Sequence, residues 1–206
     1  MVTTACPKNV VLKNGRRVLI RPLTRDDLEQ LQAFFLKLPE QDRLFLRSDV
    51  RDAKRVHRWA EEMDSGHLLA LVAMDHDQIV ATGRLYYMNH EWMRHVGEIR
   101  LITAKTHRHL GLGVLLVREL VDLAGGHGLE KIQAQVVEDS VGAIKMFQAI
   151  GFKTEAILKG MVKDQSGKKR NLVIMVNDVQ ELDRILEDWI QDSMQAAHRV
   201  PGPCEG

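Results

Sequence analysis

The stretch from Glu98 to Ala124 constrains the fold of this chain more than any other. It reads Glu-Ile-Arg-Leu-Ile-Thr-Ala-Lys-Thr-His-Arg-His-Leu-Gly-Leu-Gly as far as Gly113, then Val-Leu-Leu-Val-Arg-Glu-Leu-Val-Asp-Leu-Ala. An apolar run, a basic turn with two glycines and an amphipathic run predict a strand, a loop and the start of a helix, in that order. The first-turn N–H groups of a helix have no acceptors of their own, so a loop entering it gathers several donors at one point. The helix dipole adds about 0.3–1 kcal/mol for an anion held there. Arg108, with His107 and His109 beside it, brings further donors or charge. Gly111 and Gly113 carry no side chain to keep an anion away from the backbone. The pattern predicts a diphosphate cradle.

A bare Gly-x-Gly fits a helix cap and turn equally well, so the flanking residues decide the reading. The dinucleotide fingerprint G-x-G-x-x-G fails because its third glycine position is Leu116. The G-x-x-x-x-G-K-[ST] loop is absent from the chain. What remains is Arg108-x-x-Gly111-x-Gly113 between a strand and a helix. This resembles the acetyl-CoA motif R/Q-x-x-G-x-G/A of the GCN5-related N-acetyltransferases. Glu98 precedes Arg108 by ten residues, a spacing similar to that of the catalytic glutamate in the bacterial protein acetyltransferase branch. Two more segments carry the resemblance. Ser140 to Phe152 is similar to the family's N-x-x-A-x-x-x-Y-x-x-x-G-F, and Ile20 to Asp27 to its common opening. Leu38 to Arg47 resembles the protein-acetylating branch in particular.

Composition and length agree with one soluble domain. At 206 residues, 45% hydrophobic and 28% charged, the chain can bury a single core. A net charge of +1 leaves no basic excess for nucleic acid or an anionic membrane. No apolar run is long enough to cross a bilayer, and Met1 to Cys6 holds no signal-peptide core. Cys6 and Cys204 stand near opposite ends, outside any metal-ligand spacing, and read as free thiols in a reducing cytoplasm. No metal is expected.

In chain order, Asn14-Gly15 between two apolar runs predicts a hairpin. Thr24 to Asp27 opens a helix with stripe Leu28, Leu31, Phe34, Phe35 and Leu38, ended by Pro39. A second helix is expected over Ala53–Met63, capped by Asp52, with Val56, Trp59, Ala60 and Met63 on one face and Gly66 beyond its end. His67 to Met74 is apolar enough for a strand buried on both faces, pairing antiparallel with a strand over Ile79 to Met88. After the cradle helix come a strand over Lys131 to Val137, a helix over Ser140 to Ile150 and two strands between Lys153 and Val179, turning at Asp164 to Gly167. The expected class is α/β (α+β): one mixed, mostly antiparallel sheet with helices on both faces. The acetyltransferase domain is expected over 10–179. An amphipathic helix over 180–198 packs on that domain or at a homodimer interface, and 1–9 and 199–206 are tails.

The resemblance implies the chemistry. In the family, the strands before and after the cradle helix splay apart and the pantetheine arm of acetyl-CoA lies between them, pairing here near Ile102 and Thr103. Arg108, His109, Leu110, Gly111, Leu112 and Gly113 would bind the diphosphate, with Ser140 near the cofactor where the family usually has Asn. An amine must be neutral to attack a thioester, and a lysine amine has a pKa of about 10.4. Glu98, flanked by apolar residues, is the candidate general base. The competing structural role is an ion pair with Arg84, Arg94 or Arg100. Phe147 stands where many members carry the tyrosine that protonates the thiolate, and it has no ionisable group. Tyr86, Tyr87 and His95 are candidate replacements. The expected activity is acetyl transfer to a primary amine, either a protein lysine or a small molecule. A non-catalytic acyl-CoA sensor is the alternative, motivated by Phe147.

Overall fold

The computed structural model describes residues 6–198 except 44–45, 47–52, 89 and 165. Asp52, much of the Leu38–Arg47 segment and the 199–206 tail, including Cys204, therefore lie outside the described residues, as do the side chains of Val56 and Ala60. The chain begins with strands β1 (Lys8–Val11) and β2 (Arg17–Pro22), then helices α1 (Leu28–Lys37), α2 (Glu40–Arg43) and α3 (Ala53–Asp64). Strands β3 (Leu68–Asp75), β4 (Gln78–Tyr87) and β5 (Val96–Thr103) follow. The second half runs α4 (Leu112–Gly126), β6 (Lys131–Val137), α5 (Val141–Ala149), β7 (Lys153–Lys163), β8 (Lys169–Asp178) and α6 (Val179–His198). The eight strands form one sheet in the order β1-β2-β3-β4-β5-β6-β8-β7. All neighbours are antiparallel except β5 and β6, which are joined through α4 and run parallel.

Strand alternation splits the hydrophobic residues between two cores. On β3, Leu71 and Ala73 join the core under α4 and α6, whereas Leu68, Ala70 and Val72 join the core under α1 and α3. That double burial accounts for the unbroken apolar run. On α4, Leu112, Leu116, Val117, Leu120 and Ala124 are all at most 1% exposed, so one full face of the cradle helix is fixed in the core. Leu182 and Leu186 of α6 are fully buried in the same core. The other face is closed by Leu31, Phe34 and Phe35 of α1 and by Trp59 of α3. The β1–β2 connection is a three-residue turn closed by Leu12 N–H to Arg16 O at 2.8 Å.

An ion pair fixes the entry to α1. Arg21 donates to both oxygens of Asp27 at 2.6 and 2.7 Å, and Asp27 also accepts the N–H and hydroxyl of Thr24, each at 2.8 Å. The Arg21 hydrogen bonds lead in holding the Asp27 carboxyl down at about 2, against the opposing effect of burial. A lowered folded pKa means that the stabilisation is fully present above the unfolded value near 4 and is lost as pH falls through about 2. The size is roughly 2 kcal/mol. In urea titrations, the stability gap between wild type and Asp27→Asn should be constant above pH 5 and shrink steadily below pH 4. A gap independent of pH would show that the pair contributes nothing through charge.

Candidate active site

The parallel pair is short. Val96 to Ile99 pair with Lys131 to Ala134, and there the pairing of β5 with β6 ends. Beyond that point β5 stays with β4, as far as Thr103 opposite Ala81, while β6 stays with β8, as far as Val137 opposite Leu172. The sheet is continuous at one end and parted at the other. Residues Arg100 to Thr103 thus border a gap on the side away from β4.

Glu98 sits on the last paired stretch before that gap. Its side chain is 5% exposed, and Oε1 accepts a hydrogen bond from Arg100 Nε at 2.8 Å. Glu98 and Arg100 project to the same face because they are two apart on one strand. Across the strand pair, Tyr86 lies opposite Glu98 and Arg84 opposite Arg100. The Arg100 guanidinium stacks on the Tyr86 ring at 4.0 Å. Of the three arginines weighed as partners for Glu98, Arg100 makes the ion pair. A strand carboxylate clamped in this way has a defined position, which a proton acceptor needs.

The cradle is built from backbone. Ala104 leads into a 3-10 turn, Lys105–His107, followed by His109 at φ 62° and Gly111 at φ 87°, and then α4. Two left-handed residues so close together turn the chain sharply and aim successive N–H groups toward one region. Leu110 is tied by its carbonyl to Lys13 N–H at 3.1 Å, while Leu112 and Val114 are buried and anchor the helix start. A Cβ on Gly113 would meet only the Met146 side chain of α5, at 3.9 Å, an ordinary contact. Ser140 stands at the N-cap of α5, yet its hydroxyl makes no capping hydrogen bond. These features fit a phosphorylated ligand held by main chain.

Two cradle side chains do not point where the sequence places them. His107 is buried, 4% exposed, and its Nε2 contacts Asp75 Oδ2 at 2.9 Å while Nδ1 contacts Thr106 Oγ1 at 2.9 Å. It fastens the loop to the end of β3 and offers nothing to an anion. Its contact holds the Asp75 carboxyl below the usual range. Arg108 donates to Thr103 O at 3.1 Å and to Asp42 of α2 at 2.7 Å. In this arrangement it joins the loop to the α1–α3 connection, and the Thr103 carbonyl has a protein partner. His109 is exposed. Among the described residues, no group of His, Cys, Asp or Glu is placed to hold a metal ion.

Comparison with known proteins gives the family. A family model described as "Acetyltransferase (GNAT) family" matches residues 28–152, from the start of α1 to the residue before β7. The chain belongs to the GNAT acetyltransferase family. It is therefore an acetyl-CoA-dependent acyltransferase. Similar solved structures include the GNAT domain of Streptomyces lividans PAT, with a TM-score of 0.70 and 22% identity over 84% of this chain and 96% of that one. A ribosomal-protein-alanine N-acetyltransferase from Brucella melitensis gives 0.67 and 23%, over 77% and 98% of the two chains. The yncA protein from Salmonella typhimurium, solved with its cofactor acetyl-CoA, gives 0.67 and 18%, over 79% and 94%. At these identities the likeness is one of GNAT fold.

The residues weighed as a replacement acid separate cleanly. Phe147 is 4% exposed and packs edge-to-face on Phe152 at 4.9 Å, so it is a core residue. Tyr87 lies opposite Gly97, on the sheet face away from Glu98, and burial pushes its phenol up to about 12. His95 precedes β5, and its carbonyl accepts Glu130 N–H at 2.8 Å. Only Tyr86 shares the face of Glu98. Asp42, the partner of Arg108, escapes the sequence reading of the site, and Arg84, weighed there only as a partner for Glu98, stands alone as a charge inside the apolar run of β4. For Arg84 that isolation was the available signal. No helix among the described residues is long and apolar enough to cross a membrane.

Proposed function

We propose that this GNAT enzyme transfers the acetyl group of acetyl-CoA to the nitrogen of a primary amine, with Glu98 as the general base. The observation that carries the reading is the placement of a buried, clamped carboxylate on the strand that borders the parted end of the sheet. Bound acetyl-CoA supplies the activated acyl carbon. The amides of Leu112 and Gly113, with the loop from Arg108 through His109, Leu110 and Gly111, would hold the diphosphate. The main chain of Ile102 and Thr103 would line the pantetheine arm, and the Ser140 hydroxyl would approach the same ligand. Glu98, directly or through a water, takes the proton that keeps the amine from attacking. Arg100 holds the carboxylate in one rotamer for that purpose.

The acceptor is read as an amine of a protein or of a small molecule, met in the cytoplasm. The test is release of free thiol from acetyl-CoA with a panel of amines and a lysine peptide. Release dependent on one class of amine supports transfer. Tight acetyl-CoA binding without release across the whole panel would replace transfer with acyl-CoA sensing, the reading that the buried Phe147 favours.

A further inference from the structure

Arg84 is a charge that the fold leaves incomplete. It is 6% exposed in the middle of β4, on the face closed by α1 and α3. Its guanidinium carbon lies 4.2 Å from the Trp59 ring centroid and 5.7 Å from that of Phe35, so aromatic faces stabilise the cation from its sides. Its one hydrogen bond to a described residue is a long one, Nη1 to the Tyr86 hydroxyl at 3.5 Å. Nε is buried without a partner. Glu62 of α3 is near enough to act on it through charge but forms no ion pair with it, and Glu62 Oε2 is itself buried and unpartnered. Burial, with the like charge of Arg100 opposite, pulls the Arg84 pKa down from its ordinary value. A guanidinium nonetheless stays charged in a protein.

Position gives this charge a use. Arg84 is directly opposite Arg100, and Arg100 is clamped to Glu98, so all three groups share one face and one corner of the β4–β5 ladder. Diagonal neighbours in such a ladder stand about 7–8 Å apart, within the span of a small bifunctional molecule. The Arg100 charge is taken up by Glu98, whereas Arg84 keeps N–H donors that the protein leaves unused. Planar N–H donors held against aromatic faces match a carboxylate.

We infer that Arg84 receives a carboxylate of the acceptor, so that the amine presented to Glu98 belongs to a carboxylate-bearing molecule. The inference rests on the acetyl-transfer reading above and names its substrate class. The carboxylate has two chemical sources: the acceptor's own α-carboxylate in a free amino acid, or an Asp or Glu side chain next to the target amine in a peptide.

The experiment uses the full chain and matched acceptor pairs, with kcat/KM for thiol release as the readout. One pair is lysine against cadaverine and another is phenylalanine against phenethylamine, each differing by the carboxylate. A third is a lysine peptide with Asp beside the lysine against the same peptide with Asn. The carboxylate member of at least one pair should be better by tenfold or more, chiefly through KM, and the pair that responds identifies the source. Arg84→Met, which keeps the volume without the charge, should bring that pair within about twofold, and Arg84→Lys should restore part of the gap. Equal values within every pair in the wild type would overturn the proposal, whatever the variants do. So would a preference that survives Arg84→Met. If no amine releases thiol, transfer itself fails, and the N-acetylated forms of the same compounds are titrated into the protein–CoA complex by calorimetry. Tenfold tighter binding of the carboxylate forms would then support the Arg84 site alone, and equal binding would overturn it.

Discussion

Replacing Glu98 with glutamine lowers kcat by about 10²–10⁴, the range general-base catalysis supplies, while the affinity for acetyl-CoA stays within about twofold. Glutamine keeps the shape of the side chain and an oxygen that can accept from Arg100 Nε, so this contact can persist when the basicity is removed. Arg100 is 30% exposed, and water reaches it once its counter-charge is gone. The loss of stability should therefore stay near 1 kcal/mol, as for a partly solvated pair. The competing role, a purely structural partner for Arg100, reverses these effects: stability falls and turnover does not. Steady-state thiol release across the accessible pH range, with urea unfolding of the same samples, separates the two. Equal kcat for both proteins at every pH would remove Glu98 from the chemistry.

The second large effect belongs to Gly111. Its φ of 87° is a region that costs a residue with a side chain about 1–2 kcal/mol, and a β-branched one more. A Cβ there would also meet Trp189 of α6 at 3.3 Å and Lys13 at 3.8 Å. Gly111→Val must therefore shift the loop away from α6, carrying the first-turn amides of α4 with it. Losing two hydrogen bonds to a charged ligand, at about 1.5–3 kcal/mol each, weakens acetyl-CoA binding a hundredfold or more. Calorimetry should detect that loss while the far-UV circular dichroism stays native, because the core face of α4 is untouched. Gly113 gives the contrast. Alanine fits there against Met146, so any affinity lost in Gly113→Ala reports crowding of the ligand and not a moved loop. Unchanged affinity in Gly111→Val would refute the cradle.

Much of this was legible in the chain because local patterns carry it. The run from β5 through the glycine loop to α4 is written in residues that are neighbours in sequence, and β6 falls over Lys131–Val137 as expected. The identity of the Glu98 partner was half legible. Strand alternation puts Arg100 on the same face, but Arg84 and Arg94 competed until register was known. What was missed depends on separations that no local pattern encodes. The Arg108–Asp42 pair spans 66 residues, and His107 is turned toward a carboxylate 32 residues away. The short helix α2 has no apolar periodicity to announce it. The reason for Gly111 was also misplaced. Sequence logic assigns it to ligand approach, whereas the missing Cβ faces Trp189 and the backbone angle is what demands glycine.

The brief pairing of β5 with β6 has a mechanical consequence. The molecule is two plates, β1 to β5 and β6 to β8, riveted along four residue pairs at one end and bolted together by α4. On the proposed reading, a ligand lodged between the free ends would act as the missing rung. Its binding energy would add to the cohesion of the whole sheet by mass action, so resistance to heat would rise with cofactor occupancy.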